Sequence, residues 1–194
     1  MKKTLYGTRL YINFTHLASN IKHIQSRSHD NIIIAMVKAN AYGYGDIKIS
    51  KKLHDLGINY FGVADFEEGV RLREAGINSG IIVMNPGIQN METIIKYDLE
   101  PVIYTHSILL ELCRLIKTKR VIQKNSIPIH IKINTGMNRW GFNTSELPNV
   151  ITTLQRLNKI KIRSIYSHLA SAKNSKDDLF TKNQIEKIQN QKLK

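Results

Sequence analysis

The sequence predicts an α/β protein built on a parallel sheet, and three observations carry that prediction. Short runs rich in β-branched residues alternate with longer amphipathic stretches along most of the 194 residues. The first clear run, Ile32-Ile33-Ile34-Ala35-Met36-Val37, is apolar throughout, as in a strand covered on both faces. Residues able to do chemistry, Lys38, Asn85, Arg139 and His168, each stand just beyond such a run. Strand-helix alternation implies right-handed crossovers, in either a doubly wound sheet or a closed barrel. Reactive side chains gathered at C-terminal strand ends favour the (β/α)8 barrel of TIM type. No glycine-rich dinucleotide fingerprint follows the first strand, which weakens a nucleotide-binding Rossmann reading.

In chain order, 9–14 reads as a short strand and 15–27 as a helix with Leu17, Ile21 and Ile24 on one stripe. Strands are expected at 32–37, 60–64, 81–84, 101–104, 128–133 and 161–166. Helices are expected between them near 46–56, 65–75, 88–96, 105–118 and 144–158. The clearest helix start is Asp65-Phe66-Glu67-Glu68, where Asp65 can cap the first turn and Glu68 can answer from the third position. Gly76 supplies the stop. A final polar helix begins near Asp178 and carries Phe180, Ile185 and Ile188. No low-complexity linker interrupts the series, and the repetition is of strand-helix units rather than of sequence.

The length suits one domain, and 42% hydrophobic residues suffice for a core. A net charge of +14 attracts polyanions without specifying a fold. The basic residues are scattered, however, with no block of like charge, zinc-finger spacing or aromatic RNA-binding signature, so specific nucleic-acid binding is not expected. The single Cys113 allows no internal disulfide and fits a reducing cytoplasm. Met1-Lys2-Lys3 resembles the start of an export signal, but Gly7, Arg9 and Asn13 interrupt the segment where its apolar core would lie. No stretch approaches the roughly eighteen apolar residues of a membrane span. The seven histidines show no paired metal-ligand spacing with acids or cysteine.

Lys38 is followed at once by Ala39-Asn40-Ala41-Tyr42-Gly43-Tyr44-Gly45-Asp46. Lysine at the mouth of a buried strand is seldom chosen for packing, and a partly desolvated lysine is what Schiff-base chemistry uses. The glycines suit a loop with unusual backbone angles or close approach to a ligand. Taken alone, Lys38 is also readable as a side chain lifting its ammonium off a strand end. Further on, Pro128-Ile129-His130-Ile131-Lys132-Ile133 alternates, with isoleucines on one face and His130 and Lys132 on the other. If that strand is barrel wall, Lys132 points inward and must be paired, neutralised or chemically altered. The following loop brings Arg139, whose planar fork suits a carboxylate or phenolate oxygen, although a solvated loop arginine is the alternative. His168 follows the next strand, either as a hydrogen-bonded structural residue or as part of a site.

Together, Val37-Lys38-Ala39-Asn40-Ala41-Tyr42-Gly43-Tyr44-Gly45, Lys132-Ile133-Asn134-Thr135-Gly136-Met137-Asn138-Arg139-Trp140-Gly141-Phe142 and Ser167-His168-Leu169-Ala170-Ser171-Ala172 resemble the alanine racemases. Asp65-Phe66-Glu67-Glu68-Gly69-Val70-Arg71-Leu72-Arg73 extends the resemblance over nearly all of the chain. The resemblance implies a cytoplasmic, homodimeric isomerase that uses pyridoxal 5'-phosphate to interconvert L- and D-alanine for peptidoglycan. It implies that Lys38 holds the cofactor as a Schiff base and acts as a base on one face of the alpha carbon. Tyr42 matches the tyrosine that binds the cofactor phosphate, and Arg139 the arginine near the cofactor's phenolic oxygen and the substrate carboxylate. Lys132 matches a lysine that is carbamylated in many members. His168 matches the histidine beside the cofactor ring, which also orders the second catalytic base.

Tyr44 departs from the family's common histidine, and Asn134 from a common aspartate, which removes one negative charge beside Lys132 and Arg139. The resemblance further implies that residues 1–194 are an incomplete N-terminal barrel domain, with about six of eight strand-helix units and no C-terminal β domain. In the family that domain carries the opposite base, a tyrosine delivered across the dimer interface. The expectation is therefore a fragment inactive alone, with open sheet edges that favour aggregation or a partner. A racemase of serine or broader specificity, and a non-catalytic pyridoxal-phosphate-binding barrel, are the alternatives.

Overall fold

The structure, a computed structural model, describes residues 7–28, 31–118, 126–173 and 175–191. It contains one sheet of six parallel strands: β1 (Ile34–Met36), β2 (Tyr60–Val63), β3 (Gly80–Val83), β4 (Glu100–Ile103), β5 (Ile127–Lys132) and β6 (Ile160–Tyr166). Helix α1 (Phe14–Ser28) precedes the sheet. A helical turn, α2 (Lys38–Tyr42), and helix α3 (Asp46–Asp55) join β1 to β2. The next crossovers are α4 (Phe66–Glu74), α5 (Met91–Lys96), α6 (His106–Lys117) and α7 (Leu147–Gln155). Helix α8 (Asp178–Gln189) follows β6.

Strand order equals sequence order, β1 to β6 without reversal. A doubly wound sheet reverses its order partway, because helices must cover both faces, whereas a barrel winds in one direction. The sheet is therefore a partial (β/α) barrel, with its helices outside. On its inner face the register sets Met36 beside Gly62, Tyr60 beside Gly80, and Gly62 beside Ile82. Gly62 leaves the room that the Met36 and Met84 side chains fill, and Gly80 leaves room for the Tyr60 ring. His130 belongs to this inner face, where its imidazole bridges Glu100 Oε2 at 2.8 Å and Ser164 Oγ at 2.7 Å. The isoleucines of β5 point to the other side, and Ile127, Ile129 and Ile131 are buried among the helices.

The central strands are mostly buried, while β1 and β6 are only partly covered. Among the described residues neither outer strand pairs along its free edge. No helix among the described residues is long and apolar enough to cross a membrane.

Three expectations need correction. Residues 9–13 form no strand: they lie in an irregular segment with Leu10 and Tyr11 exposed, and Phe14 opens α1. Asn13 Oδ1 accepts the Thr15 N–H at 2.9 Å and the His16 N–H at 3.1 Å, so helix capping takes a segment that finds no neighbouring strand. The helix expected over 88–96 begins instead as a 3-10 turn, Ile88–Asn90. Finally, Asp65 Oδ1 does cap α4 through the Glu68 N–H at 3.1 Å, but the Glu68 carboxylate does not return to the Asp65 amide. It binds the N–H groups of Ala64, at 2.7 Å, and Ala39, at 2.6 Å.

Candidate active site

Lys38 leaves β1 directly into α2, and that turn is left-handed. Ala39, Asn40, Ala41 and Tyr42 have φ of 52°, 54°, 51° and 55°. For non-glycine residues this conformation costs about 1–2 kcal/mol each, so its surroundings must impose it. Ala41 N–H donates to Val37 O at 2.8 Å, and Gly43 N–H to Ala39 O at 3.0 Å. Gly43 and Gly45, at φ 88° and 91°, carry the chain out. Asn40 Oδ1 then accepts the Asp46 N–H at 3.0 Å, at the start of α3.

Lys132 ends β5 on the inner face, beside Tyr166 of β6 in the register. Its amine is held below the ordinary lysine value, first by burial and then by the positive charges of Arg139 and Lys38. Arg139 rides on a closed loop whose base is stitched by Phe142 N–H to Lys132 O at 3.0 Å and Asn134 N–H to Phe142 O at 2.8 Å. Gly141 is required there: its φ is 125°, and a Cβ would stand 2.6 Å from the Ile133 carbonyl carbon. Asn134 organises the loop as an acceptor, taking the Gly136 N–H at 3.1 Å and the Asn138 N–H at 3.0 Å. It thus keeps a positioning role without a charge. Trp140 tilts against Tyr104 at 5.2 Å, and the Tyr104 hydroxyl binds the Asn85 amide oxygen.

His168 follows β6 in a segment anchored by α8. Gln184, fully buried, donates to His168 O at 3.0 Å and to Thr135 Oγ1 at 3.0 Å, and accepts the Ala170 N–H at 3.1 Å. One amide therefore joins the loops that carry Arg139 and His168. The His168 ring is held below the ordinary histidine value by burial, then by Arg139, Lys132 and Lys38.

Lys38, Lys132, Arg139 and His168, from the ends of β1, β5 and β6, thus share one neighbourhood in which the nearby charges that lower Lys132 and His168 are positive. Such a basin attracts a ligand with several anionic groups. Tyr42 stands at the end of the left-handed turn and is exposed, and its hydroxyl has no hydrogen-bond partner among the described residues. His130 lies deeper along β5, committed to Glu100 and Ser164. Gln184 is the residue that sequence reasoning missed. Its signal is its place on the stripe Phe180-Gln184-Ile188, where a lone polar residue among apolar ones must find internal partners.

The family model for the alanine racemase N-terminal domain matches residues 12–193. The alanine racemase of Treponema denticola is 32% identical over 183 residues, covering 92% of this chain and 47% of that protein. That of Clostridium novyi is 35% identical over 187 residues, covering 91% and 46%. The solved structure of the Clostridium difficile 630 alanine racemase in complex with cycloserine superimposes with a TM-score of 0.78 at 25% identity, covering 88% of this chain and 47% of that one. The chain spans about half the length of the curated relatives it matches. A family match along almost the whole chain, on a sheet wound as a barrel with Lys38 at its mouth, means that this chain belongs to the alanine racemase family by its N-terminal domain.

Proposed function

We propose that the chain is the incomplete, cofactor-binding barrel part of a cytoplasmic alanine racemase that uses pyridoxal 5'-phosphate, works as a homodimer and supplies D-alanine for peptidoglycan. The observation that carries this reading is the convergence of Lys38, Lys132, Arg139 and His168 at one end of the sheet, where their positive charges act on one another. That donor set fits an aldehyde bearing a phosphate and a phenolate. When bound, pyridoxal phosphate supplies an electron sink for the pair left when the alpha proton of alanine departs.

The chain's residues do the rest. Lys38 would hold the aldehyde through its amine, and that amine would take or return the alpha proton on one face. Arg139 offers two parallel N–H donors to the phenolic oxygen or the substrate carboxylate. Tyr42 offers its hydroxyl to the phosphate. His168 would flank the ring and help orient the second base. Burial enlarges the neutral fraction of the Lys132 amine, the form that adds carbon dioxide. The new N–C bond gives a carbamate and releases one proton, so a strained cation becomes an anion able to pair with Arg139.

Racemisation needs proton carriers on both faces, and Lys38 supplies one. With pyridoxal phosphate and deuterated solvent, the 194-residue chain is therefore expected to exchange the alpha proton of one alanine enantiomer without forming the other. Proton NMR follows the exchange, which Lys38→Ala abolishes. Exchange of neither enantiomer by chain that holds the coenzyme on Lys38 contradicts the proposal.

A further inference from the structure

We infer that Glu68, on α4, is a positioning residue for Lys38, acting through the backbone of the left-handed turn. Its two carboxylate oxygens take separate partners: Oε1 accepts the N–H of Ala39, the residue after Lys38, at 2.6 Å, and Oε2 accepts the N–H of Ala64, just beyond β2, at 2.7 Å. One anion thereby ties the mouth of β1 to the mouth of β2. Hydrogen bonds from backbone amides to a carboxylate are roughly twice as strong as neutral ones. A standard capping box would have used the same carboxylate within α4, on the Asp65 amide. Here it is diverted to the segment that aims the lysine.

A second tie from the same helix supports this role. Arg71, one turn after Glu68, binds Asp46 Oδ2 through Nε at 2.9 Å and Nη2 at 2.5 Å. Asp46 is buried at the start of α3, and its N–H is held by Asn40 Oδ1. Helix α4 therefore grips both ends of segment 39–46, at Ala39 by Glu68 and at Asp46 by Arg71. The gripped segment contains the four left-handed residues, 39–42, that determine where Lys38 and Tyr42 point. None of these residues has its own reason to adopt positive φ except Asn40. The inference rests on the proposed cofactor role of Lys38.

The test uses the full chain carrying Glu68→Ala or Glu68→Gln, with Glu67→Ala as an exposed control on the same helix. Pyridoxal phosphate is titrated by absorbance, and deuterium exchange is measured over 38–46. Loss of the charge-assisted bond at Ala39 is expected to weaken coenzyme capture about tenfold in Glu68→Ala. Exchange over 38–46 rises in that variant, while protection in β3 to β5 and α6 is unchanged. Glu68→Gln, which turns one acceptor into a donor facing an N–H, falls between Glu68→Ala and wild type, and Glu67→Ala matches wild type. Wild-type affinity and wild-type exchange in Glu68→Ala overturn the inference. Should Glu68→Ala fail to fold, the same result in Glu68→Gln overturns it. If wild-type chain captures no coenzyme, the functional reading falls, and the exchange over 38–46 still decides the role of Glu68.

Discussion

At the scale of single residues, the site is defined by basic side chains that form no ion pair among the described residues. His168 shows the consequence most simply. Burial and the charges of Arg139, Lys132 and Lys38 hold its ring below the ordinary value of 6.5. As pH falls through 6.5, the unfolded chain takes up a proton that the folded chain refuses, so stability declines until the folded ring also titrates. Histidine NMR should place the His168 midpoint below 6.5, and Arg139→Gln should raise it. A midpoint at or above 6.5 in the wild-type chain removes the electrostatic argument for an anion site. The placement of Lys38, Arg139 and His168 at one end of the sheet was legible because apolar runs mark strand ends, and strand ends on one side of a parallel sheet converge. The left-handed turn was half legible. Gly43 and Gly45 announce positive φ, whereas Ala39 and Ala41 give no such sign, because contacts distant in sequence impose their conformation.

At the scale of elements, each loop of the candidate site is held by a helix packed outside it. Helix α4 grips the Lys38 turn, and α8 grips the loops of Arg139 and His168 through Gln184. Removing the Gln184 amide leaves His168 O, Thr135 Oγ1 and the Ala170 N–H without that partner. Gln184→Ala should therefore lower unfolding free energy by about 1–3 kcal/mol, the cost of buried polar groups left unsatisfied. Urea denaturation measures it, with exposed Asn183→Ala expected within about 0.5 kcal/mol of wild type. The six sheet strands and their crossovers were readable from periodicity because each carries its own apolar pattern. The supposed strand at 9–14 was not one, since an edge segment needs a partner that no local pattern reveals. Glu68 likewise fitted a capping rule over three residues, while its partner Ala39 lies 29 residues away.

At the scale of the whole molecule, one direction of winding brings the ends of β1, β5 and β6 to a common mouth although they are far apart in sequence. Apolar burial in the helical layer supplies rigidity, and the mouth collects the uncompensated positive charge. The decisive measurement is borohydride reduction of the chain after incubation with pyridoxal phosphate, followed by proteolysis and mass spectrometry. The account predicts a single pyridoxyl adduct on Lys38, out of the chain's many lysines, and its loss in Lys38→Ala. An adduct spread over surface lysines, or none on Lys38, would contradict it.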